Sequence, residues 1–354
     1  MSKPIRILLQ TTVPSTNDDW NIDRLSMLRD YLVSLTDDAG NPACDVVARD
    51  RQLNADGDDP ILSTLGDADF DELWLFALDM GDGLSSNDCA GIAAFHRSGG
   101  GILTTRDHQD MGISLCGLGE IGALHFFQSR HLDPDPSQHC IDDTGTPTIS
   151  WPNYHSGRNG DYQRITPVEP IHPLLRNSAA PSGANAKRAT KAVELFPAHP
   201  HEGAVGVPAG SKARVIATGI SQTTGRSFNL VVAIDRAETI DGESPGRVIA
   251  QSTFHHFADY NWSVAHGCPS FVTEPAGDGM QTEPSALADI HAYVHNLVAW
   301  LAPVAVGGSG AFAPAIASPL ENRVIVEANR DENLRSEIIP NARLQTLDRV
   351  GIFK

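Results

Sequence analysis

The sequence predicts an α/β protein built on a doubly wound, mostly parallel sheet. Two observations carry the prediction. Apolar runs of strand length alternate with segments at helical spacing through the first 130 residues, and the runs close in polar turns. Ile5–Leu9 is the first such run and ends in Gln10-Thr11-Thr12. Asn21 is placed to cap a helix reaching about Thr36, because Ile22, Leu25, Leu28 (or Met27), Leu32 and Leu35 recur at helical spacing. Asp45–Ala48 is the second strand and Glu72–Leu78 the third, closing in Asp79-Met80-Gly81-Asp82-Gly83. Ser85 or Ser86 opens a helix to about Arg97, and Ile102–Thr105 is the fourth strand.

Between about 130 and 190 many prolines, with Asn, Ser and Gly, predict long surface connections. Order returns at Val193–Phe196, Ala213–Ile220, Phe228–Ile234 and Arg247–Thr253, the last three strand-like, with Gln222-Thr223-Thr224-Gly225 as a hairpin turn. Ser285 is placed to cap a long helix from Ala286 to about Leu301, with Leu287, Ile290, Val294, Leu297 and Val298 on one stripe. The expected organisation is one domain over residues 1–303, a linker over 304–320 and an extension over 321–354. The extension is apolar enough to pack on the domain or on a second copy, which makes it a candidate arm for a homo-oligomer.

Charge and composition exclude several partner classes. The chain of 354 residues has 26 basic against 44 acidic residues, a net charge of −18, which disfavours nucleic acid and anionic membrane surfaces. No apolar run approaches the roughly 20 residues of a spanning helix. The five cysteines are odd in number, scattered and without a CxxC pair, so thiols in a cytoplasmic protein are expected, not disulfides or a structural zinc site. The remaining partner class is a small polar molecule.

The chemistry is expected at the strand ends, where ligands collect in open α/β sheets. The fourth strand closes in Thr105-Arg106-Asp107-His108-Gln109, and the last in His255-His256 with Trp262 a few residues on. Asp107 beside His108 can orient an imidazole and raise its basicity, so Asp107, His108 and His255 are the catalytic candidates. Adjacent side chains in an extended chain diverge, so only one of His255 and His256 should face a given pocket. Thr105, Arg106, Gln109, Asp79 and Trp262 are candidate ligand contacts, with Arg106 as the group that would hold an anion. His199-Pro200-His201-Glu202 places two imidazoles and a carboxylate in one loop, a spacing suited to a divalent metal. Cys116 is read as an inert thiol, and the glycines around it do not follow a strand in a dinucleotide pattern.

The segment from Gly99 to Gln109 resembles the nucleophile elbow of class I glutamine amidotransferases, whose pattern is Gly-x-Cys-x-Gly-His-Gln. Aligned on His108-Gln109, Thr105 stands at the cysteine and Asp107 at the second glycine, so glutamine hydrolysis is not expected. Five further segments resemble the ThuA-like (trehalose-utilisation-like) branch of that superfamily. They are the turn after Leu75, Phe95-His96-Arg97-Ser98-Gly99, Glu169-Pro170-Ile171-His172-Pro173, Val193-Glu194-Leu195-Phe196, and Gly246-Arg247-Val248 through His255. The resemblance implies a flavodoxin-like fold, an association with carbohydrate metabolism and a role for His255. Three functions follow as expectations: acid/base hydrolase or isomerase chemistry on a small polar ligand, metal-dependent hydrolysis through the His/Glu cluster, or a non-catalytic scaffold.

Overall fold

The computed structural model describes residues 3–139, 142, 148–177, 191–235 and 244–303. The linker and extension expected beyond residue 303 lie outside the described residues, as does Cys140. The main sheet has eight strands: β1 (Ile5–Thr11), β2 (Cys44–Arg49), β3 (Glu72–Phe76), β4 (Gly101–Thr105), β5 (Thr166–Pro167), β6 (Arg214–Ile220), β7 (Ser227–Ile234) and β8 (Val248–Gln251). Their spatial order is β2-β1-β3-β4-β8-β7-β6-β5. The first five run parallel, and β7, β6 and β5 add an antiparallel edge. The parallel part has the 2-1-3-4-5 order of flavodoxin-like sheets, so the expected fold class holds.

Alternation along the strands makes the sheet doubly wound. Ile7, Leu9, Trp74, Phe76 and Leu103 enter one core with Leu28 and Leu32 of α1 (Ser26–Ser34). Leu8, Leu73, Leu75 and Ile102 enter the opposite core with Ile92 and Phe95 of α2 (Ser86–Arg97). A period of two thus supplies an apolar surface to both layers, as buried parallel strands require. Ser85 and Asp88 form a reciprocal capping box that starts α2.

Three expectations are corrected in detail. Asn21 does cap its helix, but the first turn, Ile22–Leu25, is a 3-10 turn before α1 begins. After the single turn α3 (Asp259–Trp262), the long helix α4 spans Pro284–Leu301 and is capped by Glu283, whose side chain accepts from Ser285 N. Part of the proline-rich middle, from Trp151 to Arg164, is not a surface connection, whereas residues 130–137 are mostly exposed as expected. Trp151 and Tyr154 are buried in the core shared with α1, and the short strand Tyr162–Arg164 pairs with Leu195–Pro197. Two aromatics three residues apart outweigh the polar residues around them, because each removes a large apolar surface from water.

No helix among the described residues is long and apolar enough to cross a membrane. Cys116 lies half-buried in the 3-10 segment Ile113–Leu118, and burial pushes its thiol up, which disfavours the thiolate.

Candidate functional site

Pairing between β4 and β8 continues past both strand ends and sets the site. Thr105 stands opposite Gln251, and Phe254 N then donates to Arg106 O, so Asp107 and the turn Phe254–His256 emerge side by side. Thr253 caps that turn. Its hydroxyl accepts from His255 N at 3.1 Å and donates to Asp107 Oδ1 at 3.1 Å.

A third segment closes over them, the loop after Leu195–Pro197 that carries His199 and His201. It is pinned by His199 N donating to Ser156 Oγ and by Gly203 N donating to Ser252 O. A Cβ on Gly203 would lie 2.5 Å from Asp107 O and 2.8 Å from Ser252 O, so only glycine lets the loop pack between the two strand ends.

The three segments bring Asp107, His199 and His255 together, each offering one ligand atom and all three atoms within 4.8 Å of one another. His199 Nε2 is 3.3 Å from Asp107 Oδ1, and His255 Nε2 is 3.9 Å from Asp107 Oδ2. The two imidazoles stack with centroids 3.6 Å apart and planes 12° apart. His108 Nε2 approaches Asp107 Oδ2 at 3.8 Å, and the His201 ring stands 5.6 Å from the rings of both His108 and His199. Asp107 is 3 % exposed.

A chain of hydrogen bonds from one backbone carbonyl sets both tautomers. Ala198 O can only accept, so the Asn261 amide must turn its Nδ2 toward it, at 2.9 Å. The same Nδ2 donates to Asn159 Oδ1 at 2.9 Å. Asn261 Oδ1 therefore faces His255 Nδ1 at 2.8 Å, and Asn159 Oδ1 faces His199 Nδ1 at 2.9 Å. Both Nδ1 atoms must carry protons, which leaves both Nε2 lone pairs aimed at the carboxylate. His199 Nε2 makes no hydrogen bond. Both Nε2 lone pairs face the carboxylate, and among the described residues no donor bonds His199 Nε2, an arrangement that a cation stabilises.

Burial drives both histidines toward the neutral form. The His199 and His255 imidazoles are held well below the usual 6.5, first by desolvation and then by neighbouring histidines, with Asp107 opposing this at His255. Desolvation also lowers His108, and Asp107 partly offsets it. A neutral imidazole is the form that binds a metal.

The cluster floors a cleft of about 350 Å³ whose walls include Trp20, Leu78, Met111, Ile149 and Phe271. Of the expected residues, Asp107, His108, His199, His201 and His255 all line it. His255 and His256 diverge, His256 turning instead to the buried Glu202, whose Oε2 lies 3.4 Å from its Nε2.

Glu202 consequently does not join the metal candidates. Its carboxylate accepts from Ser252 Oγ and from Gln163 Nε2 behind the cleft, the chain turning at Pro200-His201 before it. Arg106 does not face the cleft either. Its guanidinium donates to Phe126 O and Gln109 O and lies 4.2 Å over the Phe127 ring, and burial lowers its pKa to about 9.

Asp79 is taken up by Thr12 and Ser114, and Trp262 Nε1 by His256 O. Gln109 meets Ser150, and Thr105 is buried with its Oγ1 unbonded. Asn159 and Asn261 had no local sequence signal, since they act on residues 40 and six positions away.

The tautomer chain makes a prediction. Asn261→Leu removes the acceptor that holds His255 Nδ1–H, and metal affinity should fall by about 10–100-fold. Calorimetric titration of the stripped protein with zinc measures it, and an unchanged affinity would discard the role given to Asn261.

No family profile matches the sequence, and no curated protein does. Solved structures that the chain resembles include a ThuA-like protein from Parabacteroides merdae, at 13 % identity and TM-score 0.38 over 71 % of this chain and 79 % of that one. A ThuA-like protein from Bacteroides uniformis is similar at 8 % identity and TM-score 0.38, over 85 % and 93 % of the two chains. The glutaminase domain of Trypanosoma brucei CTPS with bound acivicin is similar at 13 % identity and TM-score 0.40, over 82 % and 93 %.

Proposed function

We propose that this ThuA-like chain is a metal-dependent enzyme that binds a small polar, carbohydrate-related ligand in the cleft and carries out hydrolase or isomerase chemistry. Asp107, His199 and His255 hold one divalent transition-metal ion in this reading. Two imidazoles and a carboxylate suit zinc, manganese or iron(II). One observation carries the proposal: two Nε2 lone pairs, set by Asn159 and Asn261, converge on a carboxylate.

The bound ion supplies a Lewis acid for a ligand oxygen or for water. His108 and His201, beside the cluster and lining the cleft, are the groups placed to move a proton. Thr105 lacks the thiol that glutaminase chemistry uses, and its buried hydroxyl has no base bonded to it.

The test is metal analysis of the full chain after incubation with zinc, manganese or iron(II) and gel filtration. About one ion per chain is expected in wild type, against none in His255→Ala or Asp107→Asn. Equal metal content in all three proteins would sink the proposal.

A further inference from the structure

The composition of the cleft wall defines a ligand class, taking the cleft as the ligand site as the proposed function does. We infer that the cleft selects uncharged, hydroxyl-rich ligands with one apolar face and rejects anions such as sugar phosphates and sugar acids.

Four features carry the inference. The charged side chains lining the cleft are Asp19, Asp107 and Glu274, and no Lys or Arg is among the described residues that line it. Arg106, the basic group expected to hold an anion, is buried against Phe127 with its donors spent on Phe126 O and Gln109 O.

The helix N-terminus that follows the Asp19–Trp20 wall is already filled by a carboxylate. Asp259 accepts from Ser26 N at 3.0 Å and Met27 N at 2.8 Å, so the first two N–H groups of α1 are already held by a carboxylate. Finally, Phe271 stands 59 % exposed on the cleft wall beside Val272, with Trp20 and Met111 also lining it. An aromatic left in water at a cleft gains most from the apolar C–H face of a ring, and hydroxyls can reach His108 and His201.

A divalent ion held by Asp107 and two neutral imidazoles leaves about one positive charge at the floor, which the two carboxylates of Asp19 and Glu274 together outweigh over the rest of the cleft. An added negative charge must approach both, and about tenfold or more in affinity should be lost.

The experiment uses full-length protein with its zinc content measured. Methyl glucoside, glucose 6-phosphate and gluconate are titrated by ligand-observed NMR, each against wild type and Glu274→Lys. Wild type should bind methyl glucoside at least about tenfold more tightly than either anion, and Glu274→Lys should narrow that ratio. Anions binding as tightly as the glucoside, no binding by the glucoside, or a ratio that Glu274→Lys leaves unmoved would each overturn the inference.

The same titrations on Asp107→Asn, which should hold no ion, separate the two readings. A neutral preference that persists there leaves the charge argument standing even if the metal proposal has failed.

Discussion

Asp107→Asn is expected to make the metal-free protein more stable while abolishing metal binding. In the present arrangement two imidazole lone pairs and a carboxylate confront one another in a buried space. An asparagine amide fits the same volume and brings two N–H donors. Placed at the Oδ1 position the amide nitrogen reaches His199, and placed at Oδ2 it faces His255. Thr253 Oγ1 can follow either orientation, since a hydroxyl rotates to donate or accept.

Supplying a partner to a buried acceptor is worth about 1–2 kcal/mol, so the urea midpoint of the stripped variant should rise. Metal affinity should fall by more than about a hundredfold, the upper range for losing a group that merely supports a ligand. The opposite signs distinguish a binding site from a structural polar cluster. A variant that loses stability without metal, or keeps its affinity, contradicts the arrangement described.

Acid should destabilise the metal-free protein well before ordinary carboxylates titrate. His125, His199 and His255 are buried and held well below the usual 6.5, and burial lowers His291 to about 4. Each is neutral when folded but takes a proton below 6.5 when unfolded. Their contribution is therefore whole above 6.5 and is lost as pH falls, reaching its full loss for His291 near 4.

Between pH 7 and 5.5 each such group removes on the order of 1 kcal/mol. Glu72 works the other way, since burial raises it well above the usual 4.5 and its folded form takes up the proton. The lowered histidines outnumber it, so the net change on acidification is a loss of stability. Urea denaturation of the stripped protein at pH 7 and 5.5 measures this, and a midpoint that stays level or rises at the lower pH refutes it.

The sheet was legible because buried strands and amphipathic helices write their periods locally: Ile5–Leu9, Glu72–Leu78 and Ile102–Thr105 each mark a central strand. The convergence of Asp107, His199 and His255 was half legible. Polar residues at a strand end signal a cleft, but which of them meet depends on the β4–β8 register and on a loop more than 50 residues upstream of His255. Glu202 and Arg106 were misplaced for one reason, that their backbones turn each side chain away from its neighbour. The amides of Asn159 and Asn261 were invisible, because their meaning lies in hydrogen bonds and not in composition.

The buried group of Glu202, His256, Ser252 and Gln163 ties the His199 loop to the end of β8 from behind. None of these four side chains belongs to the Asp107, His199 and His255 cluster, so the framework of the cleft does not depend on what the cleft contains. Such an arrangement gives the fold evolutionary latitude. Substitutions on the open side can change the lining of the cleft step by step while the hidden fastening keeps the surrounding walls in register.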